Sequence, residues 1–284
     1  ILLEPIKTEL GASDTQMGFL VGLTFALFYA TLGMPIAMLA DRTNRRNIIA
    51  IATTIWSGMT VLCAYVGSYA QLAMARIGVG IGEAGSSPPS HSMISDLFSQ
   101  KQRATAMGIF ALGINIGLLI AYLGGGWMSD NWGWRTTFIV VGLPGILIAI
   151  LVRFTMIEPP RGASEESVQG KADAPSFREV ARTMWQTKAT KHVVFGSALA
   201  GFVGYGMTLW LPAFFVRSHG LSQTETGVTL ALMSGIVGGL GTFTAGRLAD
   251  HLAKKDPRWL AWVVALGKGG LVPFVIAFFI QSLL

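Results

Sequence analysis

Ala40-Asp41-Arg42-Thr43-Asn44-Arg45-Arg46 is a short charged turn between two apolar runs, residues 17–40 and 47–68. A helix needs about 20 apolar residues to cross ~30 Å of hydrocarbon. Runs of that length recur at 17–40, 47–68, 70–93, 104–128, 136–156, 192–216, 223–248 and 259–284. With 52% hydrophobic and 13% charged residues, the composition excludes an ordinary soluble domain. We therefore predict an all-α, polytopic membrane protein with about eight transmembrane helices.

The long connection between the fifth and sixth of these runs divides the chain. We predict an N-terminal transmembrane bundle at 1–157, a cytoplasmic linker at 158–191 and the first part of a C-terminal bundle at 192–284. Ile1–Leu3 resemble the end of a preceding span, and Leu284 lies inside an apolar run. We therefore expect the chain to be an internal piece of a longer protein.

The linker opens with Glu158-Pro159-Pro160-Arg161-Gly162 and a polar stretch, which is typical of a flexible segment. Near its end, Ser176 and Glu179 have the spacing of a capping box, and an apolar stripe follows. This pattern predicts an amphipathic helix at about 176–188. It would lie in the inner-leaflet interface or pack on the cytoplasmic ends of the spans.

The basic residues indicate the orientation of the chain in the membrane. They concentrate in and beside the loops 41–46, 99–103, 157–191 and 249–258, whereas the loops on the other side carry only Lys7, Arg135 and Arg217. The positive-inside rule makes the first set of loops cytoplasmic. Although the net charge is +6, the basic residues form no stripe with interleaved aromatic residues, so nucleic-acid binding is not expected.

Three ionisable residues, Arg76, Glu83 and Lys268, interrupt apolar runs. Such residues are costly in a bilayer and usually line a cavity or a proton path. Arg76 and Glu83 are seven residues apart, so a helix places them on the same face. A carboxylate that is alternately desolvated and close to a cation can bind and release a proton. Purely structural roles remain the alternative for all three residues.

A shift of 209 residues aligns residues 13–46 with residues 222–255, and Asp41 of the charged turn then meets Asp250. The matching residues lie at both helix ends and in the charged turn. This internal repeat predicts a duplicated bundle of about six spans, as in transporters that are built from parallel repeats.

The charged turn resembles the signature loop of the major facilitator superfamily, G-x-x-x-D-R-x-G-R-R. Residues 37–46 fit this pattern, except that Ala37 and Asn44 replace its two glycines. The second copy, at 246–250, keeps the first glycine as Gly246. The family's fourth-helix pattern, an arginine followed by alternating glycines, is matched by Arg76, Gly78, Gly80 and Gly82.

A closer resemblance is to Spinster-type transporters and their bacterial relatives. It rests on residues 13–16, 80–84, 95–98 with Arg103, 132–135 and 158–162. It implies that the chain holds the second to ninth of twelve helices and a stub of the first. The acidic residue of the family's first helix, thought to join in proton coupling, is then expected outside the chain. The chain alone is not expected to transport.

The resemblance implies a secondary active transporter that works by alternating access in the plasma (bacterial inner) membrane. It implies proton coupling, a lysolipid or related amphiphilic substrate, contact with membrane lipids and a monomeric state. The first alternative is a proton-coupled symporter of a small organic anion or sugar acid, with Arg76 and Lys268 as counter-ions. A membrane receptor or scaffold that transports nothing is the second.

Two further sets of residues are candidates for function. Clustered glycines and Pro212 predict a bendable seventh helix, whose Tyr205 and Trp210 would line the substrate cavity with Arg76, Glu83 and Lys268. A cytoplasmic latch, meaning contacts made in one transport state only, is expected at the charged turns. Its candidate residues are Asp41, Arg42, Arg45, Arg46, Asp96, Arg103, Gly246 and Asp250; the alternative is that these arginines only set the topology.

Enzyme chemistry is not expected. The four histidines, His91, His192, His219 and His251, are scattered singly and lack metal-ligand spacing. The sequence contains no G-x-S-x-G, Walker or C-x-x-C motif. We therefore predict no catalytic residue, no metal and no cofactor.

Overall fold

The structure, a computed structural model, describes residues 1–163, 177–256 and 258–281, which form helices joined by short turns. The helices are α1 Leu3–Leu10, α2 Asp14–Gly18, α3 Phe25–Ala40, α4 Arg45–Leu62, α5 Tyr69–Ala84, α6 Ser87–Leu97, α7 Gln100–Thr155, α8 Phe177–Gln186, α9 Lys188–His219, α10 Gln223–Ala231, α11 Gly238–Ala253 and α12 Trp259–Gln281. A π-helical segment, Phe19–Thr24, joins α2 to α3, and a second, Leu232–Val237, joins α10 to α11. The all-α, polytopic prediction is confirmed.

Each of the eight predicted apolar runs coincides with one or two of these helices. Within the described ranges, 6 uninterrupted helical stretches are long and apolar enough to cross a membrane. The number is lower than eight for two reasons. α7 contains two of the runs and bends at Gly133, whose φ of 78° and ψ of 162° suit only glycine. The run at 70–93 is divided between α5 and α6.

The break between α5 and α6 follows from two prolines. Pro88 and Pro89 lie in the first turn of α6, where a missing N–H leaves no intrahelical bond unmade. Further inside a continuous helix, each would remove a backbone hydrogen bond and clash with the preceding turn. The helix therefore restarts at Ser87, and Glu83 lies in the last turn of α5.

The two copies of the internal repeat begin with the same local structure. Ser13 Oγ accepts a hydrogen bond from Gln16 N at 3.2 Å, and Gln16 Oε1 accepts one from Ser13 N at 2.8 Å. Ser222 and Glu225 form the same reciprocal cap, at 3.1 and 2.9 Å. In both copies a short helix, a π-helical segment and a 16-residue helix follow. The internal repeat in the sequence is therefore matched by a repeat in the order of the helical elements.

Two hydrophobic clusters join the halves of the chain. In the first cluster, Ala213 of α9 packs with Met17, Leu20 and Leu72 of the first half. In the second, Tyr122 of α7 packs with Phe215 and Leu230 of the second half. Many other large apolar side chains are exposed, as expected of lipid-facing surfaces.

The amphipathic helix predicted at 176–188 is observed as α8, and Ser176 lies outside the described residues. Its Met184 and Trp185 are exposed, and the Trp185 ring centroid is 6.4 Å from that of Phe195 on α9. The predicted end was two residues too late because Lys188 already begins α9.

Candidate functional site

Arg76 and Glu83 lie on one face of α5, separated by about 10 Å along its axis. Both side chains are half-buried. The guanidinium carbon of Arg76 is 5.7 Å from the centroid of the Phe25 ring. In the part of the chain that the structure describes, neither charged group makes a hydrogen bond or an ion pair. A role of the pair in binding a proton or a substrate stays a prediction.

Glycines hold α5 tightly against its neighbours. A Cβ added at Gly78 would lie 2.6 Å from Met59 Cγ, and one added at Gly82 would lie 2.6 Å from Trp56 N. No real Cβ makes contacts that short without a shift of its neighbours. The glycine run that resembles the superfamily pattern therefore permits the packing that positions Arg76 and Glu83.

The other predicted cavity residues lie in different environments. Tyr205 is 74% exposed, and Lys268 is exposed on α12. Trp210 packs against the first hydrophobic cluster, with Arg217 5.9 Å from its ring centroid. Among the residues described, none of the three forms a hydrogen bond or an ion pair with Arg76 or Glu83. Their assignment to a common cavity stays a prediction.

Arg45 is the centre of the charged turn, and its side chain is only 1% exposed. Its Nη1 donates to Asp96 and, at 2.8 Å, to Ser92 Oγ. Its Nε donates to Glu158 Oε1 at 2.7 Å, and its Nη2 donates to the Pro159 carbonyl at 2.9 Å. Arg45 thereby joins α4, α6 and the segment that follows α7.

The beginning of the predicted flexible linker is bound to the first half of the chain. Glu158 Oε2 accepts from the Arg46 amide at 2.9 Å, and Arg161 donates to the carbonyls of Ala40 and Thr43 at 2.6 and 2.7 Å. The prediction of flexibility was therefore wrong for residues 158–162. Composition suggested a linker, but partners more than 100 residues away hold this segment.

The remaining latch residues divide into two groups. Asp41 and Arg42 are exposed and make no side-chain bond within the described ranges. Asp96 is occupied by Arg45 and by the Gly162 amide, which donates at 3.0 Å. Both carboxylate oxygens of Asp96 therefore have partners other than Arg103.

Arg103 donates to the Ser95 carbonyl at 2.9 Å. The position of Gly246 on α11 is open, and the side chain of Asp250 lies outside the described residues. The latch role of all these residues stays a prediction.

An ion-pair network at the opposite end of the spans connects the two halves. Arg217, at the end of α9, lies 2.5 Å from Glu4 Oε1 and 2.6 Å from Asp14 Oδ1. Lys7 Nζ lies 2.7 Å from the same Asp14 oxygen. Sequence reasoning missed this network because its partners are about 200 residues apart. Their position outside the apolar runs was the only local signal.

Close backbone packing reinforces the contact at that end. A Cβ on Gly126 of α7 would clash with the Gln223 carbonyl oxygen, and one on Gly227 of α10 would clash with the Tyr122 carbonyl oxygen. Nearby, Asp130 Oδ2 accepts from Thr224 N at 2.7 Å. Glycine at both positions therefore allows α7 and α10 to touch along their backbones.

A second cluster at this end braces the first half. Arg135 Nη2 lies 2.8 Å from Glu9 Oε1, and Trp134 Nε1 donates to Glu9 Oε2 at 2.6 Å. Arg135 also donates to the carbonyls of Ala64 and Val66. The hydrogen bonds from Arg135 and Trp134 lower the pKa of Glu9 from its ordinary value.

In the described ranges no group of three metal-ligating side chains occurs.

The family model of the Major Facilitator Superfamily matches residues 1–283. The chain is 36% identical over 99% of its length to an "MFS-type efflux pump" of Mycolicibacterium smegmatis. It is 30% identical over 88% to a "Probable L-galactonate transporter" of Escherichia coli and 28% identical over 96% to "Protein spinster homolog 1" of Xenopus laevis. It spans 65%, 56% and 55% of the lengths of these three relatives.

A solved structure gives the same result. The chain is similar to the crystal structure of a bacterial homolog of the human lysosomal transporter Spinster, in an inward-facing and unoccupied conformation. The TM-score is 0.79 at 37% identity, and the match covers 90% of this chain and 58% of that one. Sequence, fold and relatives thus agree: the chain resembles Spinster-type proteins over most of its length, and it belongs to the Major Facilitator Superfamily.

Proposed function

We propose that this protein, in its full length, is a proton-coupled secondary active transporter that moves a lysolipid or a related amphiphile. The observation that carries the proposal is the pair Arg76 and Glu83. Both side chains are half-buried on one face of α5, within the apolar run at 70–93, and neither has a bonding partner in the described residues. Charges that serve only packing are normally paired, because an unpaired charge in an apolar setting is costly.

Glu83 is the proposed proton carrier. Its position in the last turn of α5, beside the break at Gly85 and Ser86, gives its environment two possible arrangements. When water reaches the carboxylate and Arg76 is near, the charged form is favoured; when the space closes, the protonated form is favoured. The planar guanidinium of Arg76 can hold an anionic headgroup with two hydrogen bonds.

The two halves are proposed to rock against each other around this pair. The Arg217 network and the backbone contact at Gly126 join the halves at the ends that are proposed to be extracytoplasmic, so that side would be closed. The similar solved structure is described as inward-facing, which supports this assignment. Asp41 and Arg42, which are unpaired here, would engage the second half near Gly246 and Asp250 when the cytoplasmic side closes.

The remaining parts of the proposal concern location and assembly. The protein is proposed to act as a monomer in the plasma or bacterial inner membrane. The loops 41–46, 99–103, 157–191 and 249–258 would face the cytoplasm because they hold most of the basic residues.

A small sugar acid is the second candidate substrate. It is favoured by the relative named as an L-galactonate transporter and by the two cations Arg76 and Lys268, which lack bonding partners among the described residues. A cavity with two cations suits a sugar acid, whose carboxylate is surrounded by polar groups. A cavity with one cation and apolar lining residues suits a lysolipid. The Spinster resemblance supports the lysolipid as the first candidate.

The test uses the full-length protein in liposomes that contain a pH-sensitive dye. We expect lysolipid to drive proton movement in the wild type and expect Glu83→Gln to abolish it. Glu225→Gln is the matched control, since Gln16 shows that an amide forms the same helix cap. Unchanged proton movement in Glu83→Gln would make Glu83 structural. Flux of galactonate but not of lysolipid would favour the second candidate.

A further inference from the structure

A groove lies on the outer surface of the first half, between α4 and the last turns of α7. Its volume is about 430 Å³. The floor is formed by two small residues, Ala50 and Ala149, which are 6% and 2% exposed. Ile51 and Ile150 stand beside them, 60% and 49% exposed. The groove exists because small side chains are placed where two helices meet and large ones flank them.

The groove has one polar end. Arg153 and Asn47 lie there, one near the end of α7 and one near the beginning of α4. Towards the membrane interior the lining is apolar as far as Ile55 except for Thr54, whose hydroxyl donates to the Ala50 carbonyl at 2.8 Å. From Asn47 to Ile55 the groove follows α4 for about 12 Å, which is nearly half of the ~30 Å hydrocarbon thickness.

Arg153 has no counter-ion of its own in the part of the chain that is described. Its guanidinium carbon lies 5.7 Å from the centroid of the Phe154 ring, and its side chain is exposed. The carboxylate nearest in sequence, Glu158, is already held by Arg45 Nε and the Arg46 amide. Among the described residues, the guanidinium at the mouth of the groove is therefore available to bind an anion.

We propose that this groove is a binding site for an anionic phospholipid of the cytoplasmic leaflet. One acyl chain occupies the apolar part between α4 and α7, and the phosphate is bound by Arg153 with Asn47 beside it. The orientation proposed above puts Arg153 at the headgroup level of that leaflet. Arginine suits this position because its planar guanidinium binds a phosphate with two hydrogen bonds. The site is separate from α5 and from the proposed transport path.

The test uses full-length protein in nanodiscs of equal phosphatidylglycerol and phosphatidylcholine. A photoactivatable phosphatidylglycerol is added in trace amounts, and the labelled peptides are mapped by mass spectrometry. We expect label on the peptides that contain residues 47–55 and 149–154. Arg153→Gln should lower it about five-fold, the factor expected for one cation near an anionic surface, and Arg153→Lys should keep most of it.

Two further variants distinguish a specific lipid-binding site from nonspecific attraction of anionic lipids to basic residues. Thr54→Phe, which fills the groove from its exposed lining, should reduce the label without any change in charge. Lys255→Gln, which removes an exposed cation outside the groove, should leave it unchanged. Equal labelling in Arg153→Gln and the wild type would overturn the proposal. So would equal labelling by a photoactivatable phosphatidylcholine, which would show ordinary lipid contact.

Discussion

Replacement of Arg45 by alanine should destabilise the protein more than any other single change in the charged turn. The side chain is 1% exposed, and its partners Asp96 and Glu158 are 13% and 23% exposed. Removal of one member of a buried charge cluster leaves the others uncompensated and typically costs ~3–5 kcal/mol. For a chain of this size that corresponds to a fall in melting temperature on the order of 10 °C.

Arg42 provides the matched control, since it is an arginine in the same turn that is exposed and makes no side-chain bond within the described ranges. The assay is thermal unfolding of the full-length protein in detergent, followed by fluorescence-detected size exclusion. We expect Arg42→Ala to melt close to the wild type. A combined Arg45→Met, Asp96→Asn, Glu158→Gln variant should recover much of the loss, because no charge is left unpaired. Equal melting temperatures for Arg45→Ala and Arg42→Ala would refute the reasoning.

Two other predictions concern the opposite end of the spans. Gly126→Ala should push the halves apart there, because overpacking of a close contact costs ~1–3 kcal/mol; spin-label distances across that end should lengthen. Gly124→Ala, whose Cβ would lie an ordinary 3.5 Å from a methionine methyl carbon, should leave them unchanged, and equal effects would contradict the prediction. Since folding lowers the pKa of Glu9, its stabilising effect is present near neutral pH and is lost as the pH falls through the folded-state pKa. The difference in melting temperature between the wild type and Glu9→Gln should therefore shrink between about pH 7 and pH 3; a constant difference would argue against it.

The parts of the fold that depend on local sequence were predictable. Hydropathy located the apolar runs, and Pro88 with Pro89 is a local signal for the break in the run at 70–93. The caps at Ser13 and Ser222 also have a local signal, Ser-x-x-Gln and Ser-x-x-Glu. These features depend on residues within about one helical turn of each other.

The side-chain partners were not predictable in the same way. Arg45 was singled out from the sequence, but Glu158 lies 113 residues away from it and was assigned to a flexible linker. For Arg217 the sequence indicated only that it is one of the few basic residues in the loops opposite the predicted cytoplasmic side. Which distant carboxylate a given arginine meets depends on how the helices pack, and neither hydropathy nor spacing contains that information.

Gly133 has a consequence for how the protein is made. It joins two membrane-spanning stretches of α7 through a single residue with non-helical backbone angles, so there is almost no loop to carry across the bilayer separately. The two stretches are therefore expected to insert during synthesis as one helical hairpin. The charges near the turn, Asp130 and Arg135, would cross with it in a single event. A tag inserted at this turn would convert one insertion unit into two, whereas a tag inserted between residues 163 and 177 would leave the hairpin whole.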